Sequence, residues 1–165
     1  MNDSAAWSLL ATQYVNSIRR ANGTRNVTDG PQGMLNNVVE YARTLGEVVN
    51  PTSSSSALIL THQVLGSALN AKVKCSIFVS GENIAVHQPA ETPNLAWRCV
   101  EQWRLSTRGH YENMVNNVHH FTSFGVFVDS RNPPVAWCVQ TFGNPCVGGS
   151  GLSTDTDLEC SAIKG

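Results

Sequence analysis

Apolar residues at three- and four-residue spacing open the chain. Trp7, Leu10, Ala11, Tyr14, Ile18 and Ala21 fall on one stripe, the pattern of an amphipathic helix. Asp3 or Ser4 stands where a capping side chain belongs, and Asn22-Gly23 is a left-handed stop. Gly30-Pro31 then opens a second helix with Met34, Val38, Tyr41, Ala42 and Leu45 on one face. Asn50-Pro51 and the serines after it read as a loop. The spacing predicts a third helix from about Ala57, with Leu58, His62, Leu65 and Leu69 in register.

Between Lys72 and His87 the period changes. Two short alternating pieces, Val73–Val79 and Glu82–Val86, are separated by Ser80-Gly81. Residues 94–106 return to helical spacing, and 107–116 predict a short further helix. "FGVFVD" and "PVAWCVQTF" flank Ser130-Arg131-Asn132-Pro133, a hairpin signal. Val135, Trp137 and Val139 alternate there with Ala136, Cys138 and, further on, Phe142, so both faces are apolar and the sheet must be covered on both sides. Helices first, then a small antiparallel sheet between them, make an α+β domain, an α/β/α sandwich with a small central antiparallel sheet flanked by helices. That domain occupies residues 1–143. Residues 144–165, with little apolar content, predict a cysteine-containing C-terminal extension; Cys146 with Cys160 is the simplest pairing, although spacing does not fix connectivity.

Length and composition narrow the class. A chain of 165 residues fits one domain and buries a core without staples. Charged residues are 14% and the net charge is −1, which leaves no electrostatic footprint for nucleic acid or an anionic membrane. No apolar run is long enough for a transmembrane helix. Met1–Ser8 lacks the basic-then-apolar pattern of a secretory leader. Five cysteines with no CxxC pair, sequons at Asn2, Asn22 and Asn26, and a low charge nevertheless point to an oxidising compartment, hence a secreted, extracellular protein. Five is odd, so one thiol should be free, and Cys99 inside an apolar helix is the candidate.

The chemistry-bearing residues are sparse. There is no HExxH, GxSxG, P-loop or GxGxxG pattern. Glu40, Glu47, Glu91, Glu101 and Glu112 are scattered and read as solvated charges. Of the five histidines, His62 sits on an apolar stripe and reads first as a buried, hydrogen-bonded ring. His110 stands at a helix start, and the pair His119-His120 reads as a loop with solvated or packing roles.

The order of motifs then carries more than any one of them. "YVNSIRRANG" (14–23), "YA" (41–42), a histidine at 62, "GENIA" (81–85), "W..S..GHYENM" (103–114), "FGVFV" (124–128) and "VAWCVQTFG" (135–143) follow one another. The series resembles the CAP superfamily of cysteine-rich secretory proteins, antigen 5 and plant pathogenesis-related class one proteins, over about residues 7–143. It is closer to compact bacterial and fungal members, because "GHYENMVN" replaces the signature "GHYTQVVW". The resemblance implies a central cleft with two histidines and two glutamates. Carried over, these are His62, His110 and Glu82, a set suited to zinc or another divalent cation. The second glutamate is missing: Ser106 occupies its place, and Glu101 lies on a different face of its helix. As function, the resemblance implies a secreted, non-enzymatic protein that binds a lipid or sterol and a divalent metal, in host interaction, defence or lipid export. A metal-dependent hydrolase using the same cleft, with Glu82 as general base, and an effector- or allergen-like module that binds a protein partner are the alternatives.

Overall fold

The computed structural model describes residues 3–53, 57–63, 77–90 and 93–145. Four α-helices lie among them: α1 (Ser4–Ala21), α2 (Gln32–Thr44), α3 (Leu95–Arg104) and α4 (His110–Val115). A π-helical turn, Leu45–Val49, continues α2. The strands are β1 (Thr28–Asp29), β2 (Ile77–His87), β3 (Phe121–Asp129) and β4 (Val135–Pro145), in the order β1-β3-β4-β2.

The expected hairpin is β3–β4, with Asp129 opposite Val135 at its mouth. Its alternating side chains divide the core as the pattern requires. Val135, Trp137 and Val139 meet Leu35, Val38, Ala42 and Leu45 of α2 and its continuation. Cys138 and Phe142 meet Ala11 and Val15 of α1 and Ala96, Val100 and Trp103 of α3 on the opposite face. The α/β/α sandwich therefore stands. Its sheet is mixed rather than wholly antiparallel, because the short β1 pairs in parallel with β3. Gly125 fixes how near α2 comes: a Cβ there would lie 2.6 Å from the main chain at Val38 and Val39.

Several expectations change in detail. The deeply buried line of α1 is Ser8, Ala11, Thr12, Val15 and Arg19, one residue further round than the apolar stripe. The polar members go inward because each has a partner. Ser8 Oγ accepts from the Phe124 N–H at 3.0 Å and donates to Asp29 Oδ1 at 3.0 Å. Arg19 donates through Nε and Nη1 to the carbonyls of Arg25, Met114 and Asn116, replacing part of the water that a guanidinium loses on burial. Asp3 is the N-cap residue of α1 but makes no side-chain capping bond. The two short strands expected around Ser80-Gly81 are one strand, β2, whose register against β4 shifts between Val79 and Gly81. The bulge absorbs the break that Ser80-Gly81 signals.

The helix expected from Ala57 does not form over residues 57–63, which are non-helical. Hydrogen bonds from α2 and the π-helical turn claim this backbone instead. Asn50 brackets Ile59, donating to its carbonyl at 2.7 Å and accepting from its N–H at 2.6 Å. The Tyr41 hydroxyl donates to the Thr61 carbonyl. Leu65 and Leu69 lie outside the described residues, as do Val73–Cys75 and the proposed Cys146–Cys160 pair.

Cys99 is not a free thiol. It forms a disulfide with Cys138, joining α3 to β4 across a Cα–Cα distance of 6.4 Å. Helical periodicity places Cys99 inward, but nothing in the spacing says that Cys138 lies beneath it. The bond closes a sequence separation of 39, a loop worth roughly 4 kcal/mol in chain-entropy terms. The double replacement Cys99→Ala/Cys138→Ala should lower unfolding free energy by about 2–4 kcal/mol in a urea titration.

Candidate functional site

Glu82 and Asn83 are consecutive in a strand, so their side chains leave opposite faces of the sheet. Both are buried, and each anchors a neighbouring segment of the chain to β2. Glu82 faces α2. Its Oε1 accepts from His62 Nδ1–H at 2.9 Å and from the Gln63 main-chain N–H at 3.0 Å. Its Oε2 accepts from Gln63 Nε2 at 2.7 Å. Gln63 is in turn clasped by Asn37 of α2 through two reciprocal amide bonds of 3.1 Å. The carboxylate thus anchors the non-helical segment carrying His62, whose own side chain remains 55% exposed.

Asn83 faces α4. Its Nδ2 donates to the His110 main-chain carbonyl at 3.2 Å, and its Oδ1 accepts from Asn113 Nδ2 at 3.1 Å. His110 follows Gly109, which takes the left-handed conformation at φ 94 and turns the chain back on itself. The turn brings the His110 ring to Ser106, with Nδ1 at 2.7 Å from Oγ. Ser106 Oγ also accepts the Arg108 N–H at 3.0 Å. Burial pushes the His110 imidazole below its usual value, and the charge of nearby His62 acts in the same direction, against Glu112. Burial likewise raises Tyr41, helped by the charge of Glu82 and opposed by its bond to Thr61.

Behind Asn113 lies a second, drier group. His119, 1% exposed, places Nε2 at 3.1 Å from Asn113 Oδ1 and Nδ1 at 2.7 Å from Ser80 Oγ. Its ring stacks on Phe142 with centroids 4.7 Å apart. Gly81 leaves room for this arrangement, because a Cβ there would lie 2.3 Å from Asn113 Oδ1. Burial, with the charges of Arg19 and His120 in support, lowers the His119 imidazole from 6.5 to about 4.

The structure joins His62 to Glu82 by a hydrogen bond, whereas the His110 ring bonds to Ser106. It gives Ser106 a role beside His110 and turns Glu101 to an ion pair with Arg104. Among the described residues, no three His, Cys, Asp or Glu side chains gather into a group that could hold a metal ion. Both Glu82 oxygens are engaged by the segment they anchor. Sequence reading missed Asn37, Gln63, Asn83 and Asn113. The usable signal was parity: with Glu82 facing one side of a strand, Asn83 had to face the other. His119 does have the packing role that was one expectation for the His119-His120 pair, while His120 is exposed.

No family model matches the chain, and no curated protein matches it. Its fold is similar to that of an outer surface protein from Borrelia burgdorferi, with a TM-score of 0.53 at 17% identity. The match covers 82% of this chain and 90% of that one. At this identity the likeness is one of fold alone. No helix among the described residues is long and apolar enough to cross a membrane.

His119 makes stability depend on pH. An imidazole depressed to about 4 stays neutral in the folded state while the unfolded chain protonates near 6.5. Its contribution is fully present above 6.5 and fades as pH falls towards 4, by about 3 kcal/mol in all. Urea unfolding at about pH 7.5 and about pH 4.5 should reveal the loss, and His119→Leu should flatten the difference.

Proposed function

We propose that the protein is an extracellular CAP-type binding domain whose cleft takes a divalent cation, zinc in the first instance, between His62 and His110. The observation that carries this reading is the state of the four ring nitrogens. Each Nδ1 is tied, one to a carboxylate oxygen of Glu82 and the other to the hydroxyl of Ser106. Both Nε2 atoms are without a hydrogen bond among the described residues. Holding one nitrogen of an imidazole so that the other points outward is how proteins orient metal-binding histidines. Glu82 then acts as the orienting group, and Ser106 does the same for His110. An ion held there would have the two imidazoles as its protein ligands, with water completing its coordination. Such an ion would supply positive charge and exchangeable ligand positions at the cleft. A hydrolytic zinc site usually has three protein ligands, so the binding reading stands ahead of the metal-dependent hydrolase. The extracellular setting is supported by the Cys99–Cys138 disulfide and by the exposure of the sequon asparagines Asn22 and Asn26.

Calorimetric titration of zinc into the metal-stripped full chain, near neutral pH, should give saturable one-site binding. His62→Ala and His110→Ala should each abolish it, and Glu82→Gln should weaken it by about 10- to 100-fold. Unchanged binding in His110→Ala would remove this reading.

A lipid ligand is the second reading, favoured by a mainly apolar groove lined by Asp3, Ala6, Trp7, Leu10 and Pro93. Its volume of about 200 Å³ is below the roughly 300 Å³ where small-molecule sites begin, so it suits the end of an acyl chain better than a sterol nucleus. A fluorescent fatty acid should bind the wild-type chain and lose affinity in Leu10→Asp, whereas a fluorescent sterol should bind neither.

A further inference from the structure

The amide chain between β2 and α4 has a direction, and one atom sets it. The His110 main-chain carbonyl can only accept a hydrogen bond, so Asn83 must present Nδ2 to it. Asn83 Oδ1 then faces Asn113 and accepts from Nδ2, which turns Asn113 Oδ1 towards His119. An acceptor at that position requires the His119 proton on Nε2. Nδ1 is left with its lone pair, 2.7 Å from Ser80 Oγ, and takes the hydroxyl proton as acceptor. The Phe142 carbonyl, at 3.4 Å, offers that hydroxyl only a longer alternative.

This is the geometry of a nucleophile, its base and the group that orients the base. We propose that Ser80 is a reactive serine, with His119 as its general base and Asn113 as the positioning residue, and that it accepts acyl groups from esters. Three further features agree. Ser80 is the residue at which β2 slips register against β4, and a bulge redirects a side chain that regular pairing would fix elsewhere. Ser80 is half-buried whereas His119 is almost wholly enclosed, so the serine is the more exposed member of the pair. Gly81 lets the Asn113 amide pass close over the strand, where any larger residue would displace it.

In the reaction, the Ser80 Oγ–H proton passes to His119 Nδ1 as the Oγ–carbon bond forms. The bond from the carbonyl carbon to the ester oxygen breaks, and the departing alkoxide takes the proton from Nδ1. Water then releases the acid by the reverse proton path. Burial first, and then the charges of Arg19 and His120, disfavour a proton on this ring. Low basicity makes the base weak and the step slow, which suits acylation by a reactive donor. It also leaves the ring competent in mild acid, where an ordinary histidine is protonated. The proposal goes beyond the cation site and uses none of its side chains, only the His110 carbonyl.

Diisopropyl fluorophosphate, incubated with the metal-stripped full chain, tests it: Oγ–phosphorus forms, phosphorus–fluorine breaks, and the proton leaves through His119 to solvent. Intact mass and peptide mapping should show one adduct, on Ser80, that is absent in Ser80→Ala. The labelling rate should change by no more than about threefold between about pH 5 and about pH 7.5. Asn113→Ala, confirmed as folded by circular dichroism, should label slower by about tenfold or more, because the freed ring can carry its proton on Nδ1. No adduct, an adduct on Ser106 instead, or a rate unmoved by Asn113→Ala would overturn the proposal. None of these results depends on whether zinc binds.

Discussion

Strand β2 and its antiparallel pairing with β4 are the constraint from which the rest of the site follows. The ladder runs from Ile77 opposite Pro145 to His87 opposite Ala136, with one slip at Ser80. That slip sets the direction of Ser80, and the alternation beyond it sends Glu82 towards α2 and Asn83 towards α4. Neither of the segments that flank β2 is self-sufficient. The His62 segment is non-helical and rests on the Glu82 carboxylate, and α4 is only six residues long and rests on Asn83. A shift of one residue in β2 would exchange the two faces and detach both segments.

The second constraint is the cost of burying polar groups. Glu82, Asn83, His119 and Arg19 are all nearly inaccessible, and such groups are tolerated only when their hydrogen bonds are replaced. The protein does so with acceptors and donors that have no freedom of direction: main-chain carbonyls for Arg19 and Asn83, a main-chain N–H for Glu82. Fixed partners of this kind give orientation to the amides linked to them. The polar interior is therefore ordered outward from the backbone, and the imidazoles at its ends inherit a defined tautomer.

Much of the fold was legible because its elements satisfy local rules. The starts and periods of α1, α2 and α3, the hairpin, and the two apolar faces of β4 all follow from spacing and turn residues. "GENIA" and "GHYENM" single out Glu82 and His110 as candidate positions. What escaped depends on partners distant in sequence. Residues 57–63 carry a helical pattern, but Asn50 and Tyr41 take their backbone groups and hold them out of a helix. Cys99 looked like a helix-core thiol, and only the stacking of α3 over β4 reveals its partner. The amides Asn37, Gln63 and Asn113 had no signal at all, since asparagine and glutamine are common surface residues and acquire meaning only from what they face.

The Cys99–Cys138 bond has a topological consequence as well. It closes a covalent ring that contains Ser106, His110, Asn113 and His119, while His62, Ser80 and Glu82 lie outside it. The exposed stretch Asn132–Pro134 at the β3–β4 turn belongs to the ring. A protease that cuts there severs the main chain without dividing the molecule. The two pieces remain one covalent species until a reductant acts, so a nick at this turn releases neither the His62 segment nor the His110 segment.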